Sequence, residues 1–117
     1  MKKPGSKGEH ELQKNLKTEK RALAFYNSQL INHLNLEMCQ FIAEQEMVFI
    51  STSDLEGQCD ASFRAGHAGF VTILNEKTLL FPEYRGNGVM ASMGNISENP
   101  HIGMLFVDFY QSSIGLH

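Results

Sequence analysis

The first third of the chain has the apolar spacing of helices. Between residues 10 and 34, leucines recur at spacings close to those of one helix face, and lysine and glutamate fill many of the intervening positions. Asn35 is a suitable N-cap for a second helix to about Gln45, because its side chain can accept from an unpaired N–H of the first turn. Residues 1–9 are rich in Gly, Pro, Ser and Lys without apolar periodicity, which predicts a flexible tail.

From about residue 46 the pattern is that of short strands. Runs rich in β-branched and aromatic residues, separated by turn residues, predict strands at residues 47–53, 58–63, 69–74, 78–81 and 102–109. A short helix is predicted at residues 88–97, and Asn99-Pro100 ends it. The meander favours an antiparallel sandwich or barrel. A last strand has barely begun near residue 113, which leaves an open edge and predicts that the sequence is a truncated form of a longer protein.

Length and composition describe one small globular domain. The chain has 117 residues, of which 42% are hydrophobic and 20% charged, a balance typical of folded proteins rather than disordered ones. No apolar run is long enough to span a bilayer, and the basic N-terminus lacks the apolar stretch of a secretory signal. These features predict a cytoplasmic protein that does not enter membranes.

Charge is divided unevenly along the chain. Residues 1–21 carry a net charge of +4, whereas the rest of the chain carries −7. An acidic body is a poor partner for nucleic acid, whose phosphates need a basic surface. If the body binds a phosphorylated ligand, the available cations are Arg64, Lys77 and Arg85.

The sequence gives little support for a metal site or for the active site of a hydrolase. Cys39 and Cys59 stand far apart, without the paired spacing of a zinc site, and a disulfide is not expected in a cytosolic chain. No Ser-His-Asp order or closely paired carboxylates stand out. His67 and His101 lie in predicted loops, where a single histidine is more often solvated or structural than catalytic. We therefore predict no metal and no hydrolytic site.

Several segments between residues 49 and 106 form a specific combination through their order and spacing, although no single segment is specific. The segments are Phe49-Ile50-Ser51-Thr52-Ser53-Asp54 with Gly57, Ser62-Phe63-Arg64-Ala65-Gly66, Gly69-Phe70-Val71 and residues 78–87 followed by Ser92, Gly94-Asn95-Ile96, Asn99-Pro100 and Leu105-Phe106. Together they resemble the first half of the pyridoxamine 5′-phosphate oxidase-like flavoproteins, and the match is closer from residue 78 onward.

The resemblance implies a fold and a domain organisation. The implied fold class is mainly β with N-terminal helices: an antiparallel split β-barrel that binds FMN, of which this sequence would hold the first part. Residues 1–9 are then a flexible tail, residues 10–45 a helical segment and residues 46–117 the first part of the barrel. Such proteins are homodimers that hold FMN in a groove between subunits and act on a small-molecule substrate.

Site residues follow from the same resemblance. The flavin phosphate would be held by side chains of the strands and of the loop before the short helix: Ser62, Arg64, Arg85, Asn87 and Ser92. Backbone groups along the isoalloxazine ring would come from Phe70, Val71 and Thr72. Arginine suits a phosphate because its guanidinium can donate two parallel hydrogen bonds. The alternative is that Arg64 and Arg85 pair with nearby acids such as Asp60 and Glu83.

The chain also departs from the named oxidases. Asn87-Gly88-Val89 stands where those enzymes carry an Arg-Lys pair, and the strand containing Phe70 lacks their opening arginine. The C-terminal part that recognises pyridoxal phosphate is not in the sequence. Two hypotheses follow: an FMN-dependent oxidoreductase of unknown substrate, or a non-catalytic flavin-binding, cofactor-binding or dimerisation module of the same fold.

Overall fold

The computed structural model describes residues 3–111 and 114–117, and the chain divides into a helical unit that ends at His33 and a β-rich unit that begins at Leu34. The helical unit contains α1 (Lys7–Leu16) and α2 (Glu19–Gln29). Helix α1 begins three residues earlier than the pattern predicts, because the Ser6 side chain accepts a hydrogen bond from the Glu9 N–H at 3.1 Å.

Two helices stand where the leucine spacing predicts one. Lys17 adopts a left-handed conformation (φ 58°), and its N–H bonds back to the carbonyls of Gln13 and Lys14, which ends α1. Thr18 then precedes α2. The prediction of one continuous helix over residues 10–34 is wrong, because periodicity reports which residues share a face and does not report a left-handed residue between two helices.

The described residues of the β-rich unit form two helices and six strands. In chain order they are α3 (Leu36–Ala43), β1 (Met47–Ser53), β2 (Cys59–Ala65), β3 (Thr72–Asn75), β4 (Thr78–Leu80), α4 (Ala91–Glu98), β5 (Gly103–Asp108) and β6 (Ile114–Leu116). The predicted cap of α3 is present, since the Asn35 side chain accepts from the Met38 N–H at 2.8 Å.

The strands pair antiparallel in two sheets. One has the order β2-β1-β5-β6 and the other consists of β3 and β4. Strand β1 pairs along its whole length with β2, from Met47 opposite Ala65 to Ser53 opposite Cys59. Antiparallel sheets with helices confirm the coarser expectation for the fold. Within residues 3–111 and 114–117 the pairing does not close into a barrel.

The hydrophobic core lies on one face of the four-stranded sheet. It is formed by side chains that are at most 2% exposed: Ile42, Val48, Ile50, Val71 and Phe106. Alternation along β1 turns Val48, Ile50 and Thr52 to this inner face, and leaves Phe49 and Ser51 on the outer face. The Phe49 ring lies 5.5 Å from the Phe63 ring on the outer face.

A tight turn joins β1 to β2. The Asp54 carboxylate accepts from the N–H groups of Glu56 and Gln58, both at 2.9 Å, and the Asp54 N–H donates to the Gln58 carbonyl. Gly57 has φ +85°, a conformation that glycine adopts without steric cost. This turn therefore determines where β2 begins relative to β1.

None of the helices described for residues 3–111 and 114–117 combines the length and apolar character required to cross a bilayer.

Candidate functional site

Polar side chains collect on the inner face of β2, where the neighbouring strand has apolar ones. In the register of the sheet, Asp60, Ser62 and Arg64 lie opposite Thr52, Ile50 and Val48. Residues directly opposite each other in an antiparallel pair project from the same face, so these three polar side chains border the core. All three are half-buried, whereas their neighbours on the outer face are exposed.

Arg64 is held by two partners. Its Nε donates to Ser62 Oγ at 3.2 Å, and its Nη1 donates to Glu83 Oε2 at 2.6 Å. The Arg64 and Glu83 side chains are 20% and 23% exposed, so the ion pair is only partly solvated. A charge-assisted bond of this length is stronger than a fully exposed pair. The guanidinium is therefore positioned and already neutralised by a carboxylate.

Ser92 joins the same site from helix α4. It lies in the first turn of α4 and is only 4% exposed, and its Oγ is 3.5 Å from Asp60 Oδ2. Two amides tie α4 to β1: Asn95 Nδ2 donates to Thr52 Oγ1 and Asn99 Nδ2 donates to Ser53 Oγ, both at 3.0 Å. The residues Asp60, Ser62, Arg64, Glu83 and Ser92 are called the β2 cluster below.

The start of α4 has no side-chain cap. Met90, the N-cap residue, has a left-handed backbone (φ 58°), and its side chain cannot accept a hydrogen bond from the first turn. Uncapped N–H groups and the helix dipole favour a negative charge at this end. Ser92, in this first turn, adds a hydroxyl to the β2 cluster.

Arg85 and Asn87 lie in the loop between β4 and α4, and both are exposed. The Gly88 N–H donates to the Arg85 carbonyl at 2.9 Å, and the Val89 N–H donates to the Asn87 side chain at 3.0 Å. These bonds shape the loop and leave the Arg85 guanidinium at the surface. The structure thus bonds Arg64 to Ser62 and places Ser92 beside Asp60 on the same face of β2, and within the described residues it records no bond that joins Arg85 or Asn87 to them.

Phe70, Val71 and Thr72 occupy three different environments. Val71 is 2% exposed and belongs to the core, Phe70 is half-buried against it, and Thr72 is exposed at the start of β3. Strand β3 begins at Thr72 and not at Gly69 as predicted, because the Phe70 N–H closes a turn onto the His67 carbonyl. Because the three side chains do not share one environment, a ligand ring could contact these residues together only through their backbone groups.

Two residues of the cluster were not among the predicted ligand-binding residues. Asp60 and Glu83 are the acids that the alternative interpretation pairs with the arginines, and Glu83 does pair with Arg64. Alternation along β2 could have placed Asp60, since it lies two positions from Ser62 on the same face. Glu83 has no such signal, because its place beside Arg64 depends on the path of the loop after β4.

A cavity and a group of metal-ligating side chains are the remaining candidates for a functional site. A shallow cavity of about 280 Å³ is lined by residues 44–47 and 107–110, which do not include the β2 cluster. In the part of the chain that the structure describes, no three His, Cys, Asp or Glu side chains are grouped so that they could hold a metal ion.

Comparison with protein families decides the relationship. The model of the pyridoxamine 5′-phosphate oxidase family matches residues 34–117, which is more than half of the chain and coincides with the β-rich unit. The chain belongs to this family. Members of the pyridoxamine 5′-phosphate oxidase family typically bind flavin. No curated protein and no solved structure matches the chain significantly.

The donors of the β2 cluster fit the phosphate of a flavin mononucleotide. A half-buried guanidinium, two serine hydroxyls and an uncapped helix N-terminus are the donor types that bind phosphate in proteins. Two carboxylates oppose the fit: Glu83 accepts from the Arg64 guanidinium at 2.6 Å, and Asp60 Oδ2 lies 3.5 Å from the Ser92 hydroxyl. The fit therefore improves when the Glu83 carboxylate moves away from Arg64.

Proposed function

We propose that this member of the family is an FMN-binding flavoprotein that acts as an oxidoreductase on a small organic substrate. The observation that carries the proposal is the half-buried Arg64 with Ser62 on the inner face of β2, in a chain whose family typically binds flavin. A bound flavin would supply the redox chemistry, and the protein would supply binding and orientation.

Each residue of the proposed site has a distinct part. Arg64 would donate two parallel hydrogen bonds to the phosphate, and Ser62 and Ser92 would add neutral donors. Arg85 and Asn87 would close over the phosphate from the exposed loop, with Arg85 as the second cation. The backbone of residues 70–72 would bond to the polar edge of the ring.

The outer face of the four-stranded sheet supports a homodimer as part of the proposal. Phe49, Phe63 and Leu105 are 37%, 55% and 42% exposed there, and they come from three adjacent strands. Neither β1, β2 nor β5 turns a charged side chain to this face. Two acidic bodies could meet on such a neutral face without bringing like charges together.

Arg64→Ala is the direct test of the phosphate site. Loss of the guanidinium should weaken FMN binding by about 1.5–3 kcal/mol, or roughly tenfold to a hundredfold in Kd, because the phosphate loses its charged donor. Titration of the apoprotein with FMN, followed by quenching of flavin fluorescence, measures the change. Lys77→Ala is the control, since Lys77 is an exposed cation in the turn between β3 and β4.

The visible absorption spectrum of the purified protein gives the first indication. Flavin bands, with FMN released on heating, would support the proposal and turn attention to the substrates that bleach them. A colourless protein that takes up no added FMN would contradict it. Equal Kd values for Arg64→Ala and the unmodified protein would remove Arg64 from the site.

A further inference from the structure

Glu83 forms an ion pair with Arg64, the cation that the proposed flavin phosphate needs. Its Oε2 accepts from Arg64 Nη1 at 2.6 Å, while Arg64 Nε is bonded to Ser62. Each terminal nitrogen of a guanidinium carries two N–H groups, so a phosphate could still meet free donors of Arg64, but there it would lie beside the Glu83 carboxylate. Glu83 and a phosphate therefore compete for the positive charge of one guanidinium.

The charge of the cluster makes this competition costly for an anion. Asp60 and Glu83 carry two negative charges against the one positive charge of Arg64, which leaves the β2 cluster with a net charge of −1. A phosphate monoester would add nearly two more negative charges. Like charges at hydrogen-bond distances repel strongly when they are partly shielded from water.

The two acids differ in their freedom to move. Asp60 is fixed in β2, in register with Thr52 of β1. Glu83 follows Pro82 in the loop between β4 and α4, outside any helix or strand, and its side chain is 23% exposed. It can therefore swing toward water by rotation about its own side-chain bonds, and Arg64 can keep its place on the strand.

We propose that Glu83 is a displaceable internal counter-ion of Arg64 that sets how strongly the site prefers phosphorylated over unphosphorylated flavins. The inference rests on the proposed FMN site and adds a residue that restrains it. Glu83 neutralises Arg64 while the site is free of ligand, and the phosphate displaces it. Riboflavin has no phosphate, so its binding does not depend on this exchange.

Glu83→Gln tests the inference, because glutamine keeps the length and can still accept from Arg64 while the charge is removed. Kd values are measured for FMN, riboflavin and inorganic phosphate with the full chain. FMN and inorganic phosphate should bind about five- to tenfold more tightly, and riboflavin should change less than about twofold. Glu76→Gln, an exposed acid in the turn between β3 and β4, is the matched control and should leave all three Kd values unchanged.

The outcomes separate this inference from the proposed function. If FMN binds the unmodified protein but Glu83→Gln binds it no more tightly, the counter-ion role is wrong and the FMN site stands. If Glu83→Gln gains phosphate affinity while neither protein binds any flavin, the counter-ion role stands and the proposed function is wrong. Failure of both proteins to bind FMN and phosphate overturns both. Should Glu83→Gln fold poorly, Glu83→Ala is judged by the same criteria.

Discussion

The contacts that stabilise the helical unit internally differ in kind from those that stabilise the β-rich unit internally. In the β-rich unit, five apolar side chains at most 2% exposed form one cluster. Among residues 3–33 of the helical unit, Tyr26 is the buried side chain, and it is held by polar partners: its hydroxyl donates to the Glu9 carboxylate and accepts from Gln13 Nε2. Hydrophobic burial is tolerant of small shifts, whereas hydrogen bonds require particular partners and distances.

The leucines of the helical unit show why periodicity does not guarantee burial. Leu12, Leu16 and Leu23 are each at least half exposed, although their spacing is that of a helix face. The family match begins at Leu34, where the apolar core also begins. The family match in this chain therefore covers the unit that has the apolar core.

The largest expected effect is on the core of the β-rich unit. Ile42→Ala should lower the free energy of unfolding by about 2–5 kcal/mol, because Ile42 is 1% exposed and its removal leaves a cavity. Urea denaturation combined with amide hydrogen exchange would assign the loss to residues 34–117. Ile102→Ala is the control, since Ile102 is 43% exposed and should cost much less. Equal losses for the two variants would contradict a core at this place.

A smaller effect is expected where polar groups support that core. Asn95→Ala should cost about 1–3 kcal/mol, because Thr52 is 4% exposed and its hydroxyl would lose its donor from α4. The same denaturation experiment measures it. Gln40→Ala, at an exposed position of α3, serves as the control. A loss as large as that of Ile42→Ala would show that polar bonds matter as much as apolar burial in the β-rich unit.

The smallest effect concerns Tyr26 and depends on pH. The hydrogen bond to the Glu9 carboxylate raises the pKa of the Tyr26 hydroxyl above its ordinary value of 10.0. The stabilisation of α1 and α2 should thus be complete below pH 10 and be lost as pH rises through the higher folded-state pKa. Circular dichroism from pH 8 to 12, compared with Tyr26→Phe, measures it. In Tyr26→Phe this pH-dependent loss should be missing, and an identical loss in both proteins would refute the assignment.

Sequence predicted the fold where local chemistry decides it. The Asn35 cap, the strand period after residue 46 and the pairing of β1 with β2 across a tight turn are all local or short-range, and the structure has each of them. The break at Lys17 was missed because a left-handed lysine has no sequence signal comparable to glycine.

For the site, β2 alternation was sufficient to place Ser62 and Arg64 on one face. The partner of Arg64 was named only as an alternative, because Glu83 lies 19 residues away and its approach depends on a loop. Whether Arg64 binds a ligand or only this acid cannot be deduced from spacing, since both uses need the same guanidinium in the same place.

The inner and outer faces of β2 are the reverse of the usual pattern. Polar Ser62 and Arg64 border the core, and apolar Phe63 is 55% exposed. A slip of one residue against β1 would turn Phe63 inward and Arg64 outward, so hydrophobic burial favours the wrong alignment. The Asp54–Gly57 turn opposes that slip with its bonds and its left-handed glycine. This turn therefore favours the observed register of β1 and β2. The polar β2 cluster thus keeps its place through turn residues that are not part of it.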